Sequence, residues 1–167
     1  MRSQPGRVVK GNFLQCMYIV SKMSNIQIKI AELPQALPEI QAIRQVVFQT
    51  EQKVAPELDF DGQDETADQL IAYVDHQPVG TARIRYLNEQ TAKIERLAVL
   101  STVRGQGIGK QLMQYAIQLA MRKNMQEVVI HAQEYIQGLY QQLGFEQEGE
   151  RFLEAGIAHV KMRKKLR

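Results

Sequence analysis

Three glycines at alternate positions, Gly105, Gly107 and Gly109, follow a short apolar run and precede a helical pattern. Where a strand turns through glycines into a helix, bare backbone N–H groups converge, and the helix dipole adds to their attraction for an anion. Glycine matters at such a turn because a Cβ would hold the anion away from the amides. The stretch is therefore predicted to bind a phosphate group, and we call it the phosphate loop: Arg104, Gly105, Gln106, Gly107, Ile108, Gly109 and Lys110.

The spacing of the phosphate loop excludes two common nucleotide-binding motifs. A P-loop requires glycine at position 104 and serine or threonine at position 111, where this chain has Arg104 and Gln111. The dinucleotide fingerprint requires a third glycine at position 110, which is Lys110. The order Arg-x-x-Gly-x-Gly, after a strand ending in Leu-Ala-Val, resembles the acyl-CoA pyrophosphate loop of the GNAT superfamily of N-acetyltransferases.

Further motifs extend this resemblance over roughly residues 26–164. The run from Leu139 through Tyr140 to Phe145 resembles the Phe-Tyr-x-x-x-Gly-Phe signature that closes the cofactor site of that superfamily. Within the superfamily, the chain resembles a smaller bacterial group called ElaA-like. That similarity is carried by Arg44-x-x-Val-Phe48 with Glu51-Gln52, by Ala132-Gln133, and by the run from Ala155 to Met162. The chain departs from the group at Ala158, where proline is usual, and at Gln69, near which a histidine is common.

The resemblance implies an α+β chain with the GNAT fold, in which helices flank a central mixed, mostly antiparallel sheet. It also implies acetyl-CoA as co-substrate, no metal, and direct transfer of the acetyl group to a primary amine of a small molecule or peptide. The alternative function is a GNAT-fold module that binds acyl-CoA as a sensor without turnover. By resemblance, the cofactor also contacts a short stretch of the central strand and one glutamine: Leu97, Ala98, Val99 and Gln133.

Two residues are predicted to move protons. By resemblance, Tyr140 protonates the departing thiolate, and its alternative role is aromatic packing of a short helix. Glu95 has the same strand parity as Leu97 and Val99, so we expect it on their face, where an apolar cleft would raise its pKa toward that of a useful base. The alternatives are a salt bridge from Glu95 to a neighbouring arginine, or a chain of water molecules acting as the base.

Candidates for contact with the acceptor are Arg83 and His159. Arg83 and Arg85 alternate with apolar residues and share one face, so they could hold an acidic group of the substrate or pair with the acidic loop that follows residue 56. A histidine on a half-buried strand, such as His159 or His131, contacts substrate or is a hydrogen-bonded core residue. Three histidines and one cysteine without ligand spacing argue against a metal site.

The elements that must position these residues follow from hydrophobic periodicity. Strands are predicted at 26–30, 70–75, 79–86, 91–99 and 127–132, with a closing hairpin over 145–152 and 157–163. Helices are predicted from position 38 to about 53, from 107 to 122 and from 135 to 143. In the second helix, Ile108, Leu112, Ala116 and Leu119 fall on one face, which we expect to pack on the central strand.

Composition limits the class of protein. The chain has 167 residues, 44% hydrophobic and 23% charged, which suits one ordinary globular domain. A net charge of +3 is too small to indicate nucleic acid, so binding through the basic run 161–167 ranks last, and that run is predicted to be a frayed, solvated tail. No apolar stretch approaches the ~18 residues of a membrane span, so no membrane partner is expected.

The first 22 residues do not share the pattern of the rest. We predict an N-terminal extension of unknown role at 1–22 and a single acetyltransferase domain at 23–167. Cys16 is the only cysteine, which is compatible with a reducing cytoplasm. The sequence is compatible with either a monomer or a homodimer.

Overall fold

The computed structural model describes residues 25–166, so the predicted extension 1–22 lies outside the described residues. The helices are α1 (Leu37–Arg44), α2 (Pro56–Asp59), α3 (Ile108–Arg122) and α4 (Gln137–Gln142). A π-helical segment, Gln45–Glu51, continues α1, and short 3₁₀ turns occupy Ser101–Val103 and Glu134–Ile136. The strands are β1 (Ile26–Ile30), β2 (Asp68–Val74), β3 (Gln77–Tyr86), β4 (Thr91–Val99), β5 (Glu127–Gln133), β6 (Glu146–Gln147), β7 (Phe152–Glu154) and β8 (Ile157–Lys165).

The strands form one sheet in the order β1-β2-β3-β4-β5-β8-β6, with β7 also paired to β8. Only the β4–β5 pair is parallel among the pairs that the described residues form. This confirms the predicted α+β architecture with a mixed, mostly antiparallel sheet. The predicted frayed tail is wrong: β8 extends to Lys165 and pairs with β5, and Arg163 forms an ion pair with Glu127.

Both faces of the sheet are covered. The main core lies beneath α3, where the predicted apolar face is buried: Ile108, Leu112, Ala116 and Leu119. On the opposite face, Ile43 and Val47 pack against Ala98 of β4. The central strand β4 therefore has apolar packing on both of its faces.

The predicted helix from position 38 to 53 is α1 followed by the π-helical segment. A π-helix has wider i→i+5 turns, and such turns occur frequently at functional sites. The backbone N–H of Gln52 still donates to Val47 O at 3.3 Å, so the wide winding persists to the end of the segment. The π-helical segment places Glu51, and Gln52 after it, on the cleft between β4 and β5.

A bulge in β4 changes which side chains share a face. Thr81 lies opposite Ala98 and Arg83 opposite Glu95, so two steps along β3 match three along β4, and Arg96 has a φ of +55°. As a result, Leu97 and Val99 pack into the α3 core, whereas Glu95 lies with Arg83 on the α1 face. The predicted common face for Glu95, Leu97 and Val99 is therefore wrong, because strand parity fails across a bulge.

Candidate active site

A cleft of about 1030 Å³ opens where β4 and β5 separate. The two strands pair only from Thr91 to Lys93 on β4 and from Glu127 to Val129 on β5. Beyond Lys93, the backbone groups of β4 that point away from β3 have no strand partner in the described residues. Rigid, unpaired strand amides can bind an extended amide chain or a developing oxyanion. The predicted cofactor-binding stretch of β4 lines this cleft: Leu97, Ala98 and Val99.

The phosphate loop lies at the edge of the same cleft. Gly105 and Gly107 have φ values of +80° and +79°, the left-handed region that side chains disfavour. Gly107 is the N-cap of the 15-residue helix α3 and offers no side-chain cap, so the first N–H groups of the helix are left for a ligand. Six of the seven loop residues line the cleft, and Gln106 does not. The loop therefore fits a diphosphate group.

Arg104 connects the phosphate loop to two neighbours. Its Nε donates to Val99 O at 2.8 Å, and its Nη2 lies 2.6 Å from Glu51 Oε2 at the end of the π-helical segment. The Arg104 side chain is 46% exposed, so solvent screens this pair and its net contribution is small. The guanidinium is therefore accessible to an anion in the cleft.

Tyr140 lies on α4 and lines the cleft, although its side chain is largely buried. Its ring packs edge-on against Phe145, with ring centroids 6.2 Å apart. Burial, with a smaller contribution from Tyr135, raises the pKa of the Tyr140 hydroxyl well above its usual range. No hydrogen bond joins this hydroxyl to another residue within 25–166, so it is a protonated donor without a protein acceptor.

Glu95 is held by three cations. Its carboxylate lies 2.9 Å from Arg83 Nη2 and 3.3 Å from Lys93 Nζ, and it accepts a short hydrogen bond from Arg85 Nε. Burial alone raises the pKa of Glu95, but the hydrogen bond from Arg85 and the charges of Arg83 and Lys93 outweigh it and lower the pKa to about 2. The predicted direction of the pKa shift is wrong. The salt-bridge alternative is the one that the structure shows.

Arg83 does not face the cleft. Its side chain is fully buried and lies 2.7 Å from Asp61 and 2.9 Å from Asp64, so it pairs with the acidic loop between α2 and β2. The predicted contact between Arg83 and a substrate is wrong, because a fully buried side chain has no exposed surface with which to touch a substrate. Of the arginine pair on β3, it is Arg85 that lines the cleft.

Sequence reasoning missed the second arginine of this buried network. Arg44 of α1 is fully buried and lies 2.8 Å from Asp59 and 2.6 Å from Asp64. Its Nη2 also donates to the Asp59 backbone oxygen, so Arg44 fixes to α1 both the end of α2, at Asp59, and the acidic loop, at Asp64. The sequence signal that could have indicated this burial is an arginine on a helix face whose other residues are apolar. The network holds the loop that forms one wall of the cleft.

Another wall of the cleft carries His131 of β5, Glu154 of β7 and His159 of β8. His159 thus lines the cleft with a side chain that is 8% exposed, and its contact with the acceptor stays a prediction. Within residues 25–166 no group of three or more His, Cys, Asp or Glu side chains is arranged to hold a metal ion. No helix in the described part of the chain is long and apolar enough to cross a membrane.

Several known proteins are similar to this chain in sequence or fold. Residues 39–166 match the family model described as an acetyltransferase (GNAT) domain. The Bacillus subtilis protein YyaT is 37% identical over 133 residues, covering 78% of this chain and 89% of YyaT. The crystal structure of Escherichia coli ElaA is similar with a TM-score of 0.73 and 26% identity, covering 86% of this chain and all (100%) of that one. A GNAT family acetyltransferase from Elizabethkingia anophelis, solved with acetyl-CoA bound, has a TM-score of 0.68 at 21% identity. The similarity covers 85% of this chain and 99% of that one. These similarities confirm the predicted fold.

Proposed function

Because the chain belongs to the GNAT family of acetyltransferases, we propose that it transfers the acetyl group of acetyl-CoA directly to a primary amine of a small molecule or peptide. One observation carries the proposal: the phosphate loop, the unpaired edge of β4 and Tyr140 line a single cleft. A diphosphate site, an extended-chain site and a proton donor are the parts that acyl transfer from a CoA thioester needs.

The binding of acetyl-CoA is assigned to backbone groups. The N–H groups of the phosphate loop and of the first turn of α3 would hold the diphosphate, and Arg104 and Lys110 would add positive charge. The backbone N–H groups of Leu97 and Val99, which have no strand partner in the described residues, would hold the pantetheine arm and the thioester carbonyl, because the Val99 carbonyl already accepts a hydrogen bond from Arg104. When bound, acetyl-CoA supplies an activated carbonyl carbon, so the protein needs only to orient it, stabilise negative charge on its oxygen and move protons.

Tyr140 is the proposed acid. Its buried hydroxyl has a raised pKa, so it carries its proton across the whole physiological pH range. A thiolate leaving group requires a proton from a group that is protonated at neutral pH and positioned in the cleft. Support for this role comes from the position of Tyr140 on the cleft and from the absence of a hydrogen-bond acceptor for its hydroxyl among residues 25–166.

Glu95 does not suit the role of base. A carboxylate that three cations keep ionised down to a pKa of about 2 binds a proton too weakly to take one from an amine. The contacts of Glu95 instead order Arg85 and Lys93, which line the cleft. We propose a positioning role for it.

A turnover assay tests the proposal. Purified protein is incubated with acetyl-CoA and, separately, polyamines, aminosugars, amino acids and peptides with free N-termini, and the released thiol is measured. Titration calorimetry with CoA is run in parallel. Thiol release that depends on one class of amine is expected. Micromolar CoA binding without transfer to any amine would instead support the sensing module, and absence of CoA binding would contradict both.

A further inference from the structure

Three titratable side chains on the cleft wall are not used by the mechanism above. His131 and Glu154 are joined by a contact of 3.0 Å between Nδ1 and Oε1. His159 Nε2 lies 3.6 Å from the other carboxylate oxygen of Glu154. The three residues come from β5, β7 and β8, so the sheet and not one local segment brings them together. All three line the cleft that also contains Tyr140.

The orientation of the His159 ring decides which nitrogen can accept a proton. Nδ1 of His159 lies 2.8 Å from the backbone oxygen of Ile157. A carbonyl oxygen can only accept a hydrogen bond, so Nδ1 must carry the hydrogen, and the neutral ring keeps its lone pair on Nε2. The ring of Phe152 stacks on that of His159 at 5.9 Å and 26°, which restricts rotation of the imidazole.

Glu154 is suited to stabilise a proton on Nε2. The hydrogen bond from His131 is the largest cause of the lowered pKa of Glu154, and the charge of Lys93 on β4 acts in the same direction, so the carboxylate stays ionised. At 3.6 Å it is too far from Nε2 for a hydrogen bond, yet close enough to attract an imidazolium. Among the described residues, Nε2 therefore has no strong partner while the ring is neutral, and it gains Glu154 as one when the ring is charged.

We propose that Nε2 of His159 accepts the proton of the acceptor amine during acyl transfer and that Glu154 stabilises the resulting imidazolium. This inference rests on the proposed function. As the amine nitrogen bonds to the carbonyl carbon and the C–S bond breaks, one proton passes from nitrogen to Nε2, and the sulfur takes the hydroxyl proton of Tyr140. The imidazolium then releases its proton to solvent, from which the tyrosinate regains one, so protons and charge balance over the cycle.

The tautomer of His159 can be measured without any acceptor. The chain contains three histidines, so ¹⁵N-labelled protein has three imidazole spectra, which single His→Asn variants assign. At alkaline pH the His159 ring is expected to be protonated at Nδ1 with a bare Nε2, the less common tautomer. A ring protonated at Nε2 with a bare Nδ1 would overturn the proposal, because that nitrogen could not take a proton.

Kinetics of His159→Asn test the role itself. Asparagine keeps an N–H near the position of Nδ1, able to donate to Ile157 O, and lacks Nε2. With the amine identified by the turnover assay, kcat is expected to fall by about 10²-fold or more with less than a threefold change in the CoA dissociation constant. The matched control is His76→Asn, in the β2–β3 turn outside the cleft, which should retain parental kcat.

The variant Glu154→Gln distinguishes a positioning role of Glu154 from a merely structural one. In Glu154→Gln the imidazolium loses its counter-charge, so the acid limb of the pH–rate profile should shift to lower pH as kcat falls. An unshifted profile in this variant, or a kcat of His159→Asn within threefold of the parent, would overturn the proposal. If the parent binds CoA but transfers to no amine, the proposed function has failed separately, and the tautomer measurement still decides the state of His159.

Discussion

The side-chain amides of Gln52 and Gln133 exchange two hydrogen bonds, at 3.1 and 2.9 Å, although 81 positions separate them in the chain. Gln52 follows the π-helical segment, and Gln133 ends β5, so the pair connects two walls of the cleft. Gln133 was predicted to contact the cofactor, and in this structure its amide is occupied by Gln52. The pair uses one N–H and one lone pair of each amide, so Gln133 could bind the cofactor with its second N–H or by turning away from Gln52, and these two cases can be distinguished.

A double-mutant cycle on Gln52→Ala and Gln133→Ala distinguishes these two cases. In the absence of CoA, chemical denaturation should give a coupling free energy of about 1–3 kcal/mol, because each of the two hydrogen bonds typically contributes about 0.5–1.5 kcal/mol. At saturating CoA the coupling should vanish if Gln133 turns to the cofactor. A coupling that is equal with and without CoA would mean that Gln133 keeps its contact with Gln52 when CoA is bound.

Gly107→Ala should weaken CoA binding through the backbone. A Cβ at Gly107 would meet no atom within 4 Å, so the cost comes from the φ of +79° and not from a clash. The left-handed conformation costs an L-residue about 1–2 kcal/mol, and we expect the empty loop of the variant to relax from it. Binding CoA must then restore this φ, which corresponds to a rise of up to about 5–30-fold in the dissociation constant of CoA. Titration calorimetry measures it. Gly138→Ala is the matched control, because that glycine also has open space but no positive φ. Equal affinities of the two variants would contradict the assignment of the phosphate loop.

Glu51→Gln should strengthen CoA binding. The Glu51 carboxylate lies 2.6 Å from Arg104, and a phosphate group must compete with it for the guanidinium. Exposed ion pairs are worth up to about 1 kcal/mol, so releasing Arg104 should improve the CoA dissociation constant by at most about fivefold, and less at high salt. Arg104→Gln, the reciprocal variant, should weaken binding. If Glu51→Gln also weakens it, Glu51 orients Arg104 for the anion and does not compete with it.

Tyr140→Phe should lower kcat by about 10²–10⁴-fold, the usual contribution of a positioned acid. Since the raised pKa of Tyr140 keeps the hydroxyl protonated to well above neutral pH, the loss should be uniform across the accessible pH range. The edge-on contact with Phe145 needs only the ring, so thermal stability and CoA affinity should be retained. Tyr115→Phe, on α3 and outside the cleft, is the control. Parental turnover in Tyr140→Phe would assign this residue to packing.

The buried network predicts a specific dependence of stability on pH. Glu95 has a pKa lowered from 4.5 to about 2, so it binds fewer protons in the folded state than in the unfolded one. Its ionisation therefore stabilises the fold above about pH 4.5, and this contribution is lost as the pH falls toward 2. Urea unfolding of the parent should show a falling free energy of unfolding across this window.

Arg83→Met should remove much of that dependence. At neutral pH it leaves Asp61, Asp64 and Glu95 ionised without their shared cation, and breaking a buried pair costs about 3–5 kcal/mol. The cost should shrink in acid, where the carboxylates are protonated. Arg163→Met, whose ion pairs are partly exposed, should cost below about 1 kcal/mol. Similar losses for the two variants at neutral pH would contradict the burial argument.

The sequence alone determined those features that depend on local residue type and spacing. Alternating isoleucines predicted β1, and the apolar face of α3 was evident from a 3.6-residue period. The phosphate loop was also predictable, because a strand–glycine–helix turn builds its site from consecutive backbone groups. The family resemblance, carried by the same loop and by Tyr140, led to the correct fold.

Only the tertiary structure decided where the charged side chains lie. The bulge at Arg96 moved Glu95 to the other face of β4, and whether a strand bulges depends on its pairing partner as well as its own residues. Arg83 pairs with Asp61 and Asp64 because the acidic loop folds back on β3, a contact over about twenty positions that no local period encodes. The cluster of His131, Glu154 and His159 likewise exists only because three strands meet at one edge of the cleft. A side chain's pKa and partner depend on what the folded chain places beside it, and that is set by long-range packing.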